Sequence, residues 1–469
     1  MSESDKKQIY KPRPVTGFPE WLPEERLVEQ QWFDHIRAVF ESYGFCSIET
    51  PSVEELDVIR AKGEVDKEIY VIERLHKDKD GGDTSEARLA LHFDQTVPLA
   101  RYVAQRFNDL VFPFKRYQIQ RVWRGERPQA GRFREFYQCD IDVINVDNLP
   151  LHFDAEMPAI IWEILTKLPG MENEKIQLRI SNKKILTGYL RSAGLRDPAQ
   201  LVEITRLIDK SEKDPNGVHA QLRALIKKQN HYDAVMYFLI QSAKKYADRE
   251  EFSETIRETL LAKVERLPSF DPVFQQGIEE LEFMLESLKH LPQGSVVVDL
   301  AIVRGLDYYT GTVYETVFTD DPKYGSICSG GRYDDLAGSY ISRSLPGVGI
   351  SIGFSRLFDR LRQQKKFDTT RKCPADILMV LPSDAQRAVA TETARALRAR
   401  GFKVELYHAP KKTGDQIKYA DRKGIPWVWL PPFEPGQAHE VKYLKTGEQS
   451  KADPATWNPG EKTHEIAAA

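Results

Sequence analysis

The sequence predicts an α+β chain in which a strand-rich domain is split by a helical insertion and followed by a small α/β domain. Strand patterns occur within residues 1–186 and return in residues 292–368, whereas residues 187–291 carry apolar residues at three- and four-residue spacing. In residues 373–469 strand and helix patterns alternate, which favours parallel strands. A chain of 469 residues is too long for one hydrophobic core, so several domains are expected.

The first domain opens with a predicted helix, from about Pro23 to Tyr43, in which apolar residues recur at helical spacing. Gly44 is suited to end this helix. The alternation in Phe45–Ile48 then predicts a short strand that Pro51 stops. From about Leu89 to Val146 strand patterns alternate with turns.

The insertion and the last domain have distinct patterns. Helices are predicted in the insertion at LVEITRLID, QLRALIKKQ and ETLLAKVERL. In the last domain strands are predicted at DILMVLP, FKVELYHA and IPWVWLPP, and helices at DAQRAVATETARALRARG and KTGDQIKYADRKG. A polar hairpin is predicted at HEVKYLKTGEQ.

The composition is that of a soluble globular protein, with 41% hydrophobic and 29% charged residues. A formal net charge of -3 excludes a generally basic nucleic-acid binder but is compatible with a local basic surface. We expect no membrane-spanning segment and no signal peptide, because long apolar runs are missing from the sequence. The 4 cysteines lie far apart without a CxxC pair, so neither a disulfide framework nor a structural zinc site is expected. The simplest interpretation is a reduced, cytoplasmic protein.

An arginine-rich turn lies in the first domain, in the stretch RGERPQAGRFREFYQCDID from Arg124 to Asp142. The stretch predicts a strand, a loop and a second strand. In the second strand the odd positions from Phe133 to Val143 are mostly apolar and should face a core. The even positions Arg132, Arg134, Gln138, Asp140 and Asp142 are polar, with Phe136 among them.

Two interpretations of this polar face are open. It is either a solvated sheet face with cross-strand ion pairs, or the face of a central strand, where buried polar groups need partners. A bound polar ligand would supply those partners, and arginine is suited to planar, bidentate contact with phosphate. The second interpretation predicts a site for a phosphorylated ligand.

The motifs resemble those of the histidyl-tRNA synthetases, a family of class II aminoacyl-tRNA synthetases. RGERPQAGRFREFYQ is similar to motif 2 in its histidyl form, GFCSIETPSVEEL to motif 1 and GVGISIGFSRL to motif 3. RGLDYYTGTVYE, which begins at Arg304, resembles the segment peculiar to this family, and CSGGRYDDL resembles the strand that follows it. FDQTVPLARY resembles the amino-acid-binding segment. The last domain resembles the family's anticodon-binding domain.

This resemblance implies the class II synthetase fold, an α+β catalytic domain with a mixed, mainly antiparallel sheet. Residues 1–186 would carry motifs 1 and 2, and residues 292–368 the RGLDYY segment and motif 3. Residues 187–291 would form a helical insertion domain, and residues 373–469 an α/β anticodon-binding domain. A homodimer is expected, because motif 1 forms the dimer interface in this class.

The resemblance also implies that L-histidine reacts with ATP to give histidyl-adenylate and pyrophosphate, and that the histidyl group then passes to tRNA(His). Arg124 and Arg304 would be the catalytic contacts to the α-phosphate. Magnesium would bridge the phosphates, and no zinc or organic cofactor is expected. The motif 2 loop, with Gln129 and Arg134, would meet the acceptor end of the tRNA. The implied ATP-binding residues are Arg124, Glu126, Arg132, Arg356, Gly330 and Gly331.

Histidine would be held at its two ends. Asp94 and Thr96, helped by Gln138, would hold the α-amino group, while Asp142 and two tyrosines would surround the imidazole. A site that hydrogen-bonds a polar substrate rejects analogues without that group, so no editing domain is needed. The implied histidine-binding residues are Asp94, Gln95, Thr96, Gln138, Asp142, Tyr308 and Tyr309.

Several of these assignments have a purely structural alternative. Asp94 could cap a helix that begins at Pro98, and the two tyrosines could be ordinary strand aromatics. Gly330 and Gly331 could form a bulge, and Arg356 could simply lie in the first turn of a helix. In the last domain an RNA-binding surface and a solvated helix face are both compatible with Lys411, Lys412, Lys418, Arg422 and Lys423.

The sequence departs from the family pattern at two positions. His92 stands where the family has arginine, and Ser355 stands where class II enzymes often carry an acid. Asp140 has no role that the resemblance implies. The competing functional hypotheses are a non-catalytic paralogue that regulates a histidine-biosynthesis phosphoribosyltransferase, and a pure RNA-binding module.

Overall fold

A computed structural model describes residues 10–60, 68–73, 88–128, 131–211, 214–267, 269–303, 309–335, 337–338, 340–432, 434 and 436–460. These residues form two compact units. The first holds the described residues up to Pro19 and from His35 to Arg360, and the second holds Glu20–Asp34 and the described residues from Leu361 onward. Within the described ranges, no helix has the length and apolar character needed to cross a membrane.

The helices, in chain order, are α1 (Pro23–Ser42), α2 (Leu56–Arg60), α3 (Thr96–Gln105), α4 (His152–Lys167), α5 (Lys183–Ser192), α6 (Pro198–Lys210), α7 (Pro215–Leu225), α8 (Gln229–Ser242), α9 (Arg249–Ile256), α10 (Ala262–Val264), α11 (Pro272–Ser287), α12 (Phe354–Gln363), α13 (Arg387–Ala399) and α14 (Thr413–Lys423). A π-helical turn at Arg257–Leu261 joins α9 to α10.

The strands of the first unit are β1 (Cys46–Ser47), β2 (Val53–Glu55), β3 (Val71–Ile72), β4 (Leu89–Leu91), β5 (Phe114–Trp123), β6 (Glu135–Ile144), β7 (Ile176–Asn182), β8 (Lys245–Tyr246), β9 (Val296–Asp299), β10 (Thr312–Phe318), β11 (Cys328–Tyr333) and β12 (Gly347–Ile352). Those of the second unit are β13 (Ile377–Met379), β14 (Val404–Leu406), β15 (Trp427–Leu430), β16 (Glu440–Tyr443) and β17 (Gln449–Lys451).

The main sheet of the first unit has 9 strands among the described residues, in the order β1-β5-β6-β12-β11-β10-β7-β9-β8. The pairs β1/β5 and β7/β9 are parallel. The other neighbouring pairs are antiparallel. The predicted mixed, mainly antiparallel sheet is therefore confirmed. Three further strands form a small sheet in the order β2-β4-β3.

Strand β6 lies between β5 and β12 and is covered on both of its faces. The apolar side chains of Cys139, Ile141 and Val143 are fully buried on one face. On the other face Asp140 and Asp142 are each only 4% exposed. The polar face is thus the face of a buried central strand, and the solvated alternative is wrong. Its polar groups need partners or ligands.

The segment between β7 and β9 is mostly helical, from α5 to α11. Three of its helices begin with an Asp-Pro pair, in which the aspartate side chain accepts from an amide of the first turn and proline occupies the first helical position. Helix α11 packs closely on α5 at Gly188. A Cβ at this position would lie only 2.3 Å from the Phe274 amide nitrogen, so the two backbones leave no room for a side chain. The sequence did not reveal β8, which pairs with β9 at the end of the main sheet.

The second unit contains a sheet in the order β14-β13-β15-β16-β17. Strands β14, β13 and β15 are parallel, as predicted, and β16 with β17 forms the predicted hairpin. Helix α14 ends at Gly424, whose φ of +66° is the left-handed conformation that favours glycine. Buried strand residues such as Leu378 and Trp429 form the core of this unit.

Candidate active site

The polar face of β6 continues across the neighbouring strands, because directly paired residues of antiparallel strands point to the same side of a sheet. The register places three polar residues of β6 opposite three of β5, in the pairs Arg116–Asp142, Gln118–Asp140 and Gln120–Gln138. On its other side β6 places Asp142 opposite Gly349 and Asp140 opposite Ser351 of β12.

The larger of two cavities on this face has a volume of about 340 Å³. It is large enough for a small-molecule ligand. Ser329 and Ser351 line both this cavity and the smaller one, so the two are adjacent. Five of the predicted site residues line the larger cavity: Arg124, Glu126, Arg132, Gln138 and Arg356.

Arg124 is held at the end of β5 by neighbours on three sides. Its Nε donates to the Phe93 carbonyl oxygen at 3.1 Å, and its guanidinium lies 5.2 Å from the centre of the Phe136 ring. Its backbone nitrogen donates to the Arg134 carbonyl oxygen at 2.8 Å. A guanidinium fixed in this way needs little reorganisation to bind an anion in the cavity.

The other motif 2 arginines make different contacts. Arg132 forms a 3.2 Å ion pair with Glu126 at the edge of the larger cavity. Arg134 is not among the residues that line this cavity. Its Nε approaches the Glu126 carbonyl oxygen at 3.4 Å, and its backbone nitrogen donates to the Gly17 carbonyl oxygen at 2.7 Å. The predicted contact of Arg134 with tRNA stays a prediction.

Arg356 lies in the first turn of α12, as its structural alternative proposed, and it also lines the larger cavity. Its guanidinium lies 4.7 Å from the centre of the Tyr324 ring, and Nη2 donates to the Tyr324 carbonyl oxygen. The Tyr324 hydroxyl donates in turn to the Arg356 carbonyl oxygen at 2.7 Å. Tyr324 was not predicted, because its 3-10 turn lies outside every motif.

The smaller cavity holds predicted histidine-binding residues. Its lining includes Thr96, Asp142 and Tyr309 together with Asp140 and Tyr333. Its volume is about 20 Å³, room for about one water molecule. A histidine ring therefore enters only if side chains of the lining move.

Asp94 has the capping contact of its structural alternative, and its predicted contact with histidine stays a prediction. Oδ1 accepts from the Val97 amide at 3.1 Å and so caps α3, which begins at Thr96 rather than at Pro98. Oδ2 is buried and has no hydrogen-bond partner among the described residues. Burial raises the pKa of Asp94, against the Val97 amide and the charge of Arg124. Only one oxygen is thus used for the cap.

Gln95 is buried and connects two strands. Its Nε2 donates to the carbonyl oxygens of Gln120 at 3.0 Å and Gln138 at 3.2 Å. Gln138 donates from Nε2 to the Ser351 hydroxyl at 2.9 Å. The hydrogen bonds of Gln95 thus hold the start of α3 onto β5 and β6, while those of Gln138 reach across to β12.

Arg116 is a buried site residue that the sequence did not reveal. Its Nη2 lies 2.5 Å from Asp142 Oδ2, and its side chain is 0% exposed. The Tyr333 hydroxyl donates to Asp142 Oδ1 at 2.9 Å. Burial raises the pKa of Asp142 to about 6, against the charge of Arg116. One signal was present: Arg116, Gln118 and Gln120 share the two-residue period of a single strand face.

The paired glycines of β11 have packing roles. A Cβ on Gly330 would lie 2.2 Å from the Gly349 carbonyl oxygen, and one on Gly331 would lie 2.9 Å from Cδ1 of Tyr309. Both residues pair in regular register with β10 and β12, so the bulge alternative is wrong. Their predicted contact with ATP stays a prediction.

The two departures from the family pattern are accounted for by local contacts. His92 is buried beside the Trp123 ring, with Nε2 2.8 Å from the Arg121 carbonyl oxygen. Ser355 Oγ accepts from the Tyr137 amide at 2.9 Å and so connects α12 to β6. Each side chain has a structural partner of its own.

Three predicted residues, Arg304, Tyr308 and Gln129, lie outside the described residues. Within the part of the chain that the structure describes, no group of three or more histidine, cysteine, aspartate or glutamate side chains is placed to hold a metal ion.

Known proteins match the chain over nearly its whole length. A family model described as histidyl-tRNA synthetase matches residues 17–357, and one described as anticodon binding domain matches residues 376–451. A histidine–tRNA ligase of Thermobifida fusca is 54% identical over 464 residues, which cover 98% of this chain and 100% of that protein. A histidine–tRNA ligase of Micrococcus luteus is 43% identical, over 95% of this chain and 96% of that protein.

Solved structures match as well. The crystal structure of histidyl-tRNA synthetase from Nostoc sp. PCC 7120 has a TM-score of 0.82 and 36% identity, covering 98% of this chain and 99% of that one. An ATP phosphoribosyltransferase regulatory subunit/histidyl-tRNA synthetase from Bacillus halodurans has a TM-score of 0.67 at 21% identity, covering 87% of this chain and 95% of that one, which shows a shared fold alone. With the family model spanning residues 17–357 and a relative at 54% identity spanning 98% of the chain, the chain belongs to the histidyl-tRNA synthetase family.

Proposed function

We propose that the chain is a histidine–tRNA ligase. In the first step the carboxylate of L-histidine attacks the α-phosphate of ATP, giving histidyl-adenylate and pyrophosphate. In the second step the terminal ribose of tRNA(His) takes the histidyl group and AMP leaves. The observation that carries the proposal is the adjacency of two cavities: one lined by Arg124, and one lined by the buried carboxylates of Asp140 and Asp142.

Arg124 stabilises the charge that develops on the α-phosphate. Its contacts to Phe93 and Phe136 hold the guanidinium before the nucleotide arrives. Phosphoryl and adenylyl transfers depend mostly on positioning and on charge stabilisation by such preorganised groups. Arg304 is proposed as the second cation, by family resemblance.

The nucleotide occupies the larger cavity. Arg356 contacts the adenine ring and the γ-phosphate, Glu126 reads the adenine amino group and Arg132 meets the phosphate tail. Magnesium brought in with ATP would neutralise part of the triphosphate charge, as is usual for triphosphate substrates.

The histidine α-ammonium group binds at the start of α3. Asp94 Oδ2 is buried without a partner, and an ammonium donor supplies one. Thr96 lines the smaller cavity and Gln138 the larger one, and the imidazole enters the smaller cavity next to Asp142 and Tyr309.

The remaining parts serve the tRNA and the assembly. Residues 373–469 read the anticodon, whose unstacked bases are accessible to a protein. Gln129 and Arg134 meet the acceptor end of the tRNA. The segment around motif 1 forms a homodimer interface. Residues 187–291 are an insertion domain. The protein acts in the cytoplasm. The regulatory paralogue is the weaker alternative, since the relatives at 54% and 43% identity are ligases.

Histidine-dependent ATP–pyrophosphate exchange by the purified protein tests the proposal, followed by charging of tRNA(His). We expect exchange with histidine and none with the other amino acids. An absence of exchange, combined with binding to the phosphoribosyltransferase, would instead establish the regulatory alternative.

A further inference from the structure

Tyr324 contacts a cavity-lining arginine and has no part in the proposed function. It is the last residue of a 3-10 turn, Pro322–Tyr324, which follows strand β10. Arg356 lines the larger cavity, whereas Tyr324 is not among the described residues that do so. An effect of Tyr324 on a ligand in this cavity must therefore pass through a residue that Tyr324 touches.

Three contacts join Tyr324 to Arg356. The guanidinium of Arg356 lies 4.7 Å from the centre of the tyrosine ring, and its Nη2 donates to the Tyr324 carbonyl oxygen. The tyrosine hydroxyl donates to the Arg356 carbonyl oxygen at 2.7 Å. Because Tyr324 contacts both the guanidinium and the main chain of Arg356, it fixes the position of the guanidinium relative to helix α12.

Arg360, one helical turn further along α12, is held in a different way. It forms a 2.6 Å ion pair with Asp321, the residue before the 3-10 turn, and its guanidinium lies 4.9 Å from the centre of the Tyr324 ring. An ion pair holds a guanidinium but offsets its charge. The ring and the carbonyl oxygen of Tyr324 hold Arg356 without adding a negative charge. The positive charge of Arg356 therefore stays available to a ligand.

The guanidinium of Arg356 also has a donor to spare. Its Nε is buried and has no hydrogen-bond partner among the described residues. A buried donor without a partner costs free energy, so a ligand that brings an acceptor is favoured. A guanidinium that is already fixed can bind a phosphate or a base without first losing the freedom of a long side chain.

The described end of the motif 2 loop packs on the same pair. Gly131 lines the larger cavity and has a φ of +69°, a conformation that favours glycine. A Cβ at this position would overlap the Tyr324 hydroxyl and lie 3.1 Å from Cγ of Arg356. The loop backbone therefore leaves the two side chains little room to adopt other rotamers.

We propose that Tyr324 is a positioning residue for ATP, which holds the Arg356 guanidinium in its binding orientation without neutralising it. This inference rests on the proposed function, since it takes ATP as the ligand of the larger cavity. Tyr324 acts through Arg356 and not by touching the nucleotide. Its contribution is to remove, before ATP binds, the rotamer freedom that Arg356 would otherwise lose.

The test uses two variants of Tyr324 and one control. Tyr324→Leu removes the ring and the hydroxyl, and Tyr324→Phe removes the hydroxyl alone. Tyr232→Leu is the matched control, because the Arg223 guanidinium lies 4.8 Å from the centre of the Tyr232 ring within the helical insertion. Equilibrium dialysis with labelled ATP and no histidine measures the nucleotide affinity. Histidine-dependent ATP–pyrophosphate exchange gives both KM values, and thermal melting reports on the fold.

Tyr324→Leu should weaken ATP binding about 3- to 30-fold, the range for ordering one long side chain on binding. KM for ATP should rise with it, while KM for histidine should stay the same. Tyr324→Phe keeps the ring and should weaken ATP binding only about 2- to 5-fold, the effect of one hydrogen bond. Tyr232→Leu should leave the ATP affinity and both KM values unchanged.

Arg356→Met shows whether Tyr324 acts through Arg356. In this background Tyr324→Leu should change the ATP affinity by less than about 2-fold, because the group that Tyr324 positions is gone. A tyrosine that only supports the fold would instead weaken ATP binding by the same factor in both backgrounds.

An unchanged ATP affinity in a folded Tyr324→Leu protein overturns this inference alone. So does an equal rise of the two KM values, or an equal loss of ATP affinity with and without Arg356. If Tyr324→Leu does not fold, an unchanged ATP affinity in Tyr324→Phe overturns it. A wild type that binds ATP without histidine-dependent exchange contradicts the proposed function, and the dialysis still decides on Tyr324. If the wild type binds no ATP, both fail.

Discussion

Arg116 and Asp142 lie directly opposite each other on β5 and β6, with 2.5 Å between Nη2 and Oδ2 and side chains that are 0% and 5% exposed. An ion pair this deeply buried has little water to stabilise either charge once the other is removed. The pair therefore couples the stability of the main sheet to the shape of the smaller cavity, which Asp142 lines.

Arg116→Met should lower the free energy of unfolding by about 3–5 kcal/mol, because it leaves the Asp142 carboxylate buried without its counter-charge. Urea denaturation followed by circular dichroism measures the loss. Arg106→Met is the matched control, since Arg106 pairs with Asp109 at the surface at 3.7 Å, and exposed pairs contribute about 0–1 kcal/mol. If the two variants lose the same free energy of unfolding, the buried pair does not contribute more to stability than the exposed pair.

Arg124→Ala should reduce the rate of ATP–pyrophosphate exchange by about 100- to 1000-fold, the effect of removing one preorganised group from a developing negative charge. Arg121→Ala is the control on the same strand: Arg121 is 48% exposed and pairs with Glu135. The control should keep nearly wild-type exchange. If the exchange rate falls by a similar factor in both variants, Arg124 acts by supporting the structure of the sheet and not by contacting the phosphate.

Gly331→Ala separates two roles of the β11 glycines. Its new Cβ would lie 2.6 Å from the Thr312 carbonyl oxygen and 2.9 Å from Cδ1 of Tyr309, so it should strain the β10–β11 pairing, displace the ring and raise KM for histidine. The family resemblance places this glycine under ATP, which predicts a higher KM for ATP instead. Gly414→Ala is the control, because a Cβ there meets no atom within 4 Å. Measuring both KM values by exchange decides between the two roles.

The stability of the protein should depend on pH through Asp140. Because burial raises the pKa of Asp140 to about 7, the folded protein binds this proton more tightly than the unfolded chain. Its stabilising effect is complete below about pH 4 and is lost as the pH rises toward 7. Asp140→Asn removes the titration, so its melting temperature relative to wild type should increase between pH 5 and pH 8. A constant difference across that range would mean that Asp140 does not titrate there.

Much of the fold was predictable because its elements have local signals. The helix at Pro23–Ser42 and the alternating strands and helices of the second unit follow from apolar periodicity. The short strand β8 was not predictable: Lys245–Tyr246 is a strand only because β9 lies beside it. Pairing between residues far apart in sequence leaves no local pattern.

The candidate site was predictable from motifs but not in its contacts. The sequence suggested two roles for Asp94: the helix cap is confirmed for one of its two oxygens, and the contact with histidine stays a prediction. Arg116 was missed because its meaning depends on register: only the β5–β6 pairing sets it against Asp142. Tyr324 was missed because its contact with Arg356 joins two separate segments.

Strand β8 also changes how the helical insertion is understood. Lys245 and Tyr246 cover the last strand of the main sheet, pairing with Asp299 and Val298 of β9. A sheet edge without such a cover presents unpaired backbone groups to other chains, a recognised route to aggregation. The short strand β8 thus covers part of this edge, and a shortened protein without residues 187–291 should aggregate more readily than the whole chain.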